Sequence, residues 1–281
     1  MPQWLLPLVS VLYVSLLFAV AYWGDHHSPR LSHRQQGIIY SLTLAVYCTS
    51  WTFYGAVGSA VTNGWGYLPI YLGPLLFILF ARGLMERLVL ISKAQSITSI
   101  ADFIAARYGK AQHLAGTVAV IAIIGALPYI ALQLKAVAMS VNVLSAAGLN
   151  NPFPTSDTAL WISLVLAALA ILFGTRHIDA TEHHQGLMLA VALESVVKLA
   201  ALVAVGIFAL LHLDALPSDW INSPALDQLA RPSDLPQGFL AQVLLAFLAM
   251  VCLPRQFHVG VVECNDASHV RQSHNWFGGY L

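Results

Sequence analysis

The sequence predicts an all-α integral membrane protein with about seven transmembrane helices, and two observations carry that prediction. Its 281 residues are 58% hydrophobic and only 9% charged, whereas soluble domains carry roughly 25% charged residues; mean hydropathy is +0.72. Seven apolar stretches, near 4–23, 38–60, 67–90, 114–146, 158–174, 186–212 and 237–260, reach or approach the ~20 helical residues that a hydrocarbon core requires. Thirteen Lys and Arg balance thirteen Asp and Glu, so neither nucleic acid nor an acidic surface is implied as a partner. Three cysteines, with Cys48 and Cys252 inside apolar stretches, imply no disulfide framework.

The first stretch, LLPLVSVLYVSLLFAVAYW, has no basic residue before it and no small-residue cleavage site after it. It reads as a retained helix whose interfacial ends are marked by Trp4, Tyr22 and Trp23. The second runs into YCTSWTFYGAVGSAVTNGWGY, residues 47–67. That density of Gly, Ser, Thr and aromatic residues predicts a helix broken near Thr49 to Trp51 and ending before Asn63.

Between the third and fourth stretches, SITSIADFIAARYG (residues 96–109) places Ile97, Ile100, Phe103, Ile104 and Tyr108 at helical spacing. It predicts a short amphipathic connector at the cytoplasmic interface, closed by Gly109 in a left-handed cap. In the fourth stretch Lys135 lies about eleven residues, roughly 16 Å, from the outer end, too deep for easy snorkelling. With Tyr129, Gln133 and Asn142 it makes a polar stripe that suits a helix contact or an aqueous cavity equally.

The loop HIDATEHH offers His177, Asp179, Glu182, His183 and His184. Its neighbouring histidines lack the i, i+4 spacing that converges two imidazoles, so a solvated loop is the better reading than a zinc site. No HExxH, GxSxG or phosphate-binding loop occurs, and no catalysis is expected of this chain.

In the sixth stretch Glu194 and Lys198 share one helix face. Each alone would cost about 2.5–3.5 kcal/mol at the bilayer centre, so they predict a structural ion pair. The seventh, QVLLAFLAMVCLPRQFHVGVVE, contains Pro254, Arg255, Gln256 and His258. Either the helix is interrupted near Leu253 or the membrane segment ends there.

Arg30 and Arg34, then Arg82, Arg87, Lys93, Arg107 and Lys110, place their loops in the cytoplasm. The N-terminus is then outside, as is loop 213–236 with Asp214, Asp219, Asp227 and Asp234. Residues 1–265 form one membrane region and 266–281 a cytoplasmic tail or the start of another helix. The two suspect helices lie five apart, the spacing of a five-plus-five inverted repeat preceded by one extra helix; such paired breaks point to a solute site.

YCTSWTFYGAVG, SITSIADFIAARYGK and LPYIALQLKAVAMS resemble the first core helix, cytoplasmic linker and third core helix of sodium/solute symporters. GTRHIDATEHHQGLMLAVALESVVKL and VCLPRQFHVGVVE bring the resemblance closer to the symporter-like membrane region of bacterial sensor histidine kinases. The resemblance implies the N-terminal part of a LeuT-like fold in the inner membrane. It implies sodium at the Ala45 and Cys48 carbonyls with Thr49 and Ser50 nearby, and a solute cavity taking Trp51, Tyr54, Gly55, Tyr129, Gln133, Met250 and Gln256.

The implied ligand is a small amino acid or carboxylate, and the implied partners are a kinase module and response regulator. No cofactor other than sodium is implied. Tyr47 stands where some sodium-coupled members carry an acid, which weakens the expectation of sodium coupling. Core helices seven to ten and any kinase core have no counterpart in the sequence, so the chain is expected to be part of a longer protein. Its alternatives are a fragment of a stand-alone symporter, or a membrane scaffold with a vestigial site.

Overall fold

The computed structural model describes residues 5–27, 31–49, 51–146, 160–161, 163–165, 167–168, 185–213 and 235–281. Among these the chain is all-helical. The fifth predicted stretch lies mostly outside the described residues, as do HIDATEHH and the acidic part of loop 213–236.

Helix α1 (Leu5–His27) crosses α8 (Gln185–Leu211). Small residues set the contact: a Cβ on Gly24 would lie 2.6 Å from the Gly186 Cα. The Gly186 amide, left free at the helix start, donates to Asp25 Oδ1 at 2.7 Å. Both effects follow from the close approach that glycine permits.

Helix α2 (His33–Leu44) opens with a reciprocal Ser32–Gln35 capping box and stops early. One 3₁₀ turn, Ala45–Tyr47, leads to extended backbone at Cys48 (φ −77°, ψ 112°). Helical structure resumes as a π turn at Trp51–Gly55 and continues in α3 (Ala56–Asn63). The expected break is therefore present.

The following stretch is divided where a single span was expected. A second 3₁₀ turn at Gly64–Tyr67 enters α4 (Pro69–Phe80), and Ala81 separates this from α5 (Arg82–Ala94). The α3 and α4 segments meet at a 59° bend. The four charged residues Arg82, Glu86, Arg87 and Lys93 make α5 amphipathic, which is why the helix cannot run on as one lipid-facing span.

Helix α6 (Ile100–Arg107) starts where the Ser99 hydroxyl accepts from the Asp102 amide, and Gly109 follows its end with φ +68°. Phe103 packs edge-on against Phe257, with ring centroids 5.7 Å apart. Helix α7 (Gln112–Ala146) runs unbroken past Pro128. Its Val120, Ile121, Ile123, Ile124 and Leu127 are each more than half exposed, a surface that suits lipid and would be unfavourable in water.

Helix α9 (Phe239–Cys252) ends at extended Leu253; α10 (Pro254–Phe257) and a π turn, His258–Val262, continue at a 51° bend. Helical structure thus resumes beyond the interruption at Leu253. Helix α11 (Ala267–Tyr280), capped by Asp266, packs on α2 and α5.

Among the described residues, three helices are long and apolar enough to cross a membrane, or five if each bent pair is one span. Phe77, Met250, Phe257, Val261 and Phe277 centre the core, each at most 2% exposed. This core lies between α2, α4, α9 and the second break.

Candidate functional site

A broken helix exposes carbonyls, and inside a bilayer such groups must find protein donors or water. Here three side chains answer that need. Gln256 Nε2 donates to the Leu44 carbonyl at 3.4 Å, from the second break to the first. In the opposite direction, Tyr40 Oη donates to the Gly260 carbonyl at 2.8 Å. Lys198 Nζ donates to the Cys48 carbonyl at 3.4 Å, while the Ala45 carbonyl accepts from the Cys48 amide at 2.9 Å.

On one side of the first break lies a cavity of about 410 Å³, where Tyr47, Thr49, Thr52, Tyr129, Gln133 and Arg255 meet an apolar wall that includes Pro69, Leu132 and Leu245. Gln133 Nε2 donates to Thr49 Oγ1 at 3.2 Å, and the Thr49 amide donates to Thr52 Oγ1 at 3.2 Å. Arg255 Nη2 donates to the Tyr129 hydroxyl at 3.1 Å. The guanidinium carbon also sits 5.2 Å from the Tyr129 ring centroid, within cation–π range.

Among the described residues no carboxylate pairs with Arg255. A guanidinium remains charged at any working pH and presents a planar fork of donors. From the wall of a mostly apolar cavity, such a group can hold an anion, and a carboxylate can accept two parallel hydrogen bonds from it.

A second cavity, of about 350 Å³, lies on the other side and includes Cys48, Tyr54, Tyr71, Lys198 and Tyr280. Thr49 and Thr52 line both cavities. Glu194 Oε1 is 2.6 Å from Lys198 Nζ, with each side chain about one-third exposed.

The predicted residues therefore divide. Thr49, Tyr129 and Gln133 come together at the first cavity, whereas Tyr54 and Cys48 line the second. Gly55 closes the π turn and lines neither. Met250 and Gln256 are 1% and 0% exposed and touch each other, with Gln256 Nε2 3.6 Å from Met250 Sδ; they support the breaks from within the core. Ala45 is fully buried. Trp51 opens the π turn, but its side chain and all of Ser50 lie outside the described residues.

Arg255, Tyr47 and Thr52 are cavity residues absent from the predicted set. The available signal was Arg255 itself, a cation next to a proline within an apolar stretch. No protein-family model, curated protein or solved structure matches the chain.

Proposed function

We propose that the chain is the solute-recognition region of a symporter-type sensor histidine kinase. Its solute is a small amino acid or carboxylate held in the cavity beside the first break. In this reading seven spans form the N-terminal part of a LeuT-like five-plus-five repeat with one preceding helix. The chain sits in the bacterial inner membrane with its N-terminus outside. Occupancy is passed to a kinase module and response regulator; this chain contributes recognition and no catalysis.

The observation that supports the reading is Arg255 facing an apolar cavity together with Tyr129, Gln133 and Thr49, with no described carboxylate against it. Such a cavity has the usual form of a small-molecule site, apolar walls with a few convergent polar groups. The two breaks supply the irregular backbone characteristic of transporter sites. The test is retention of labelled amino acids and short carboxylates by the chain in nanodiscs. Specific retention weakened by Gln133→Ala supports the reading, while retention of none of the panel opposes it.

A further inference from the structure

We infer that the Lys198 ammonium is the resident cation of the first break, tethered where an alkali ion would otherwise bind, so that the break works without sodium. A symporter-like break holds sodium on free backbone carbonyls. Here the carbonyls are already engaged: Leu44 by Gln256 at 3.4 Å, Ala45 by the Cys48 amide at 2.9 Å, and Cys48 by Lys198 at 3.4 Å.

The nearby negative charge is engaged as well. Glu194 Oε1 lies 2.6 Å from the same ammonium, so Lys198 joins a carboxylate on its own helix to a carbonyl of another segment. A sodium ion approaching Cys48 would meet the positive charge of Lys198 at close range, where like charges repel. An ammonium with three donors can satisfy both oxygens at once. Its tether also removes the entropy cost of capturing an ion from solution. The Glu194–Lys198 pair is thus an ion site with its cation built in.

The inference concerns the break as a cation-holding element and does not depend on any solute being recognised. Its test is a titration of the chain in nanodiscs with sodium chloride replacing choline chloride at constant ionic strength and no solute present, followed by melting midpoint and tryptophan fluorescence. Wild type should show no saturable sodium-specific change. In Lys198→Met, which frees Glu194 and the Cys48 carbonyl, sodium should raise the midpoint by several degrees and saturate. Lys198→Gln should do the same if the methionine variant does not fold, and Lys198→Arg should stay unresponsive. A saturable sodium response in wild type overturns the inference, as does a folded Lys198→Met or Lys198→Gln protein with no sodium response. Solute retention in sodium-free buffer is measured separately, so a failed solute reading cannot be mistaken for either result.

Discussion

Arg255 and Tyr129 join the second helix break to the long helix α7: Nη2 reaches the phenol oxygen at 3.1 Å, and the guanidinium carbon lies 5.2 Å from the ring centroid. The hydroxyl fixes the orientation of the fork, and the ring provides a face for the cation. Tyr129→Phe keeps the ring and removes a hydrogen bond donated by a charged group, worth about 1.5–3 kcal/mol. Carboxylate affinity should therefore fall by about tenfold or more in an equilibrium binding assay. Tyr129→Ala should cost more, because the cation–π contact goes too.

Gln256 is a structural residue on this geometry. Its amide bonds Leu44, and it has no exposure to either cavity. Gln256→Leu leaves a buried carbonyl without its donor, a loss of about 1–3 kcal/mol. The melting midpoint in detergent should fall, with solute affinity changed by less than about twofold; a selective loss of affinity would place Gln256 in the binding site instead.

The α1–α8 crossing depends on missing side chains. A Cβ on Gly24 would lie 2.6 Å from Gly186 Cα, whereas one on Gly206 would meet nothing within 4 Å. Gly24→Val should destabilise by about 1–3 kcal/mol through overpacking. Gly206→Ala should be neutral or slightly stabilising, since alanine is the better helix former. Thermal melts of the two variants side by side distinguish packing from general sensitivity to substitution.

His269 gives α11 a pH dependence. It is 1% exposed, and burial followed by the charge of His33 holds its imidazole below the ordinary range, with Lys93 acting the same way and Asp266 opposing them. The tilted His33 ring lies 4.6 Å away and Tyr40 6.4 Å. A histidine with a depressed folded-state value stays neutral in the fold, while the unfolded chain takes up a proton near pH 6.5. Its stability contribution is present above about pH 6.5 and is lost as pH falls toward the folded value. The melting midpoint should drop between about pH 7.5 and about pH 5.5, and His269→Gln should flatten that slope. An identical slope in the variant would assign the effect to other groups.

Much of the fold was legible because the breaks carry strong local chemistry. Pro254 cannot continue the hydrogen-bond ladder, so Leu253 becomes extended. Ser99 and Gly109 likewise bound α6 through capping and positive φ. The 59° bend before α4 was not legible, because apolar periodicity does not reveal which turn gives way to tertiary packing; the division at Ala81 did have a signal, in the charges that begin at Arg82. The site was less legible still. Gln256 and Arg255 are sequence neighbours, yet Gln256 turns into the core and Arg255 lines the cavity. No spacing rule distinguishes them, because just beyond an extended residue the helix phase is reset.

The most direct measurement is equilibrium binding of labelled short carboxylates and amino acids to the chain in nanodiscs, wild type beside Arg255→Gln. Hydrogen bonds to a charged group are worth about 1.5–3 kcal/mol, so a carboxylate solute should bind wild type saturably and Arg255→Gln at least about tenfold more weakly. An uncharged analogue should not compete. Equal dissociation constants for the two proteins would contradict carboxylate recognition at this cavity.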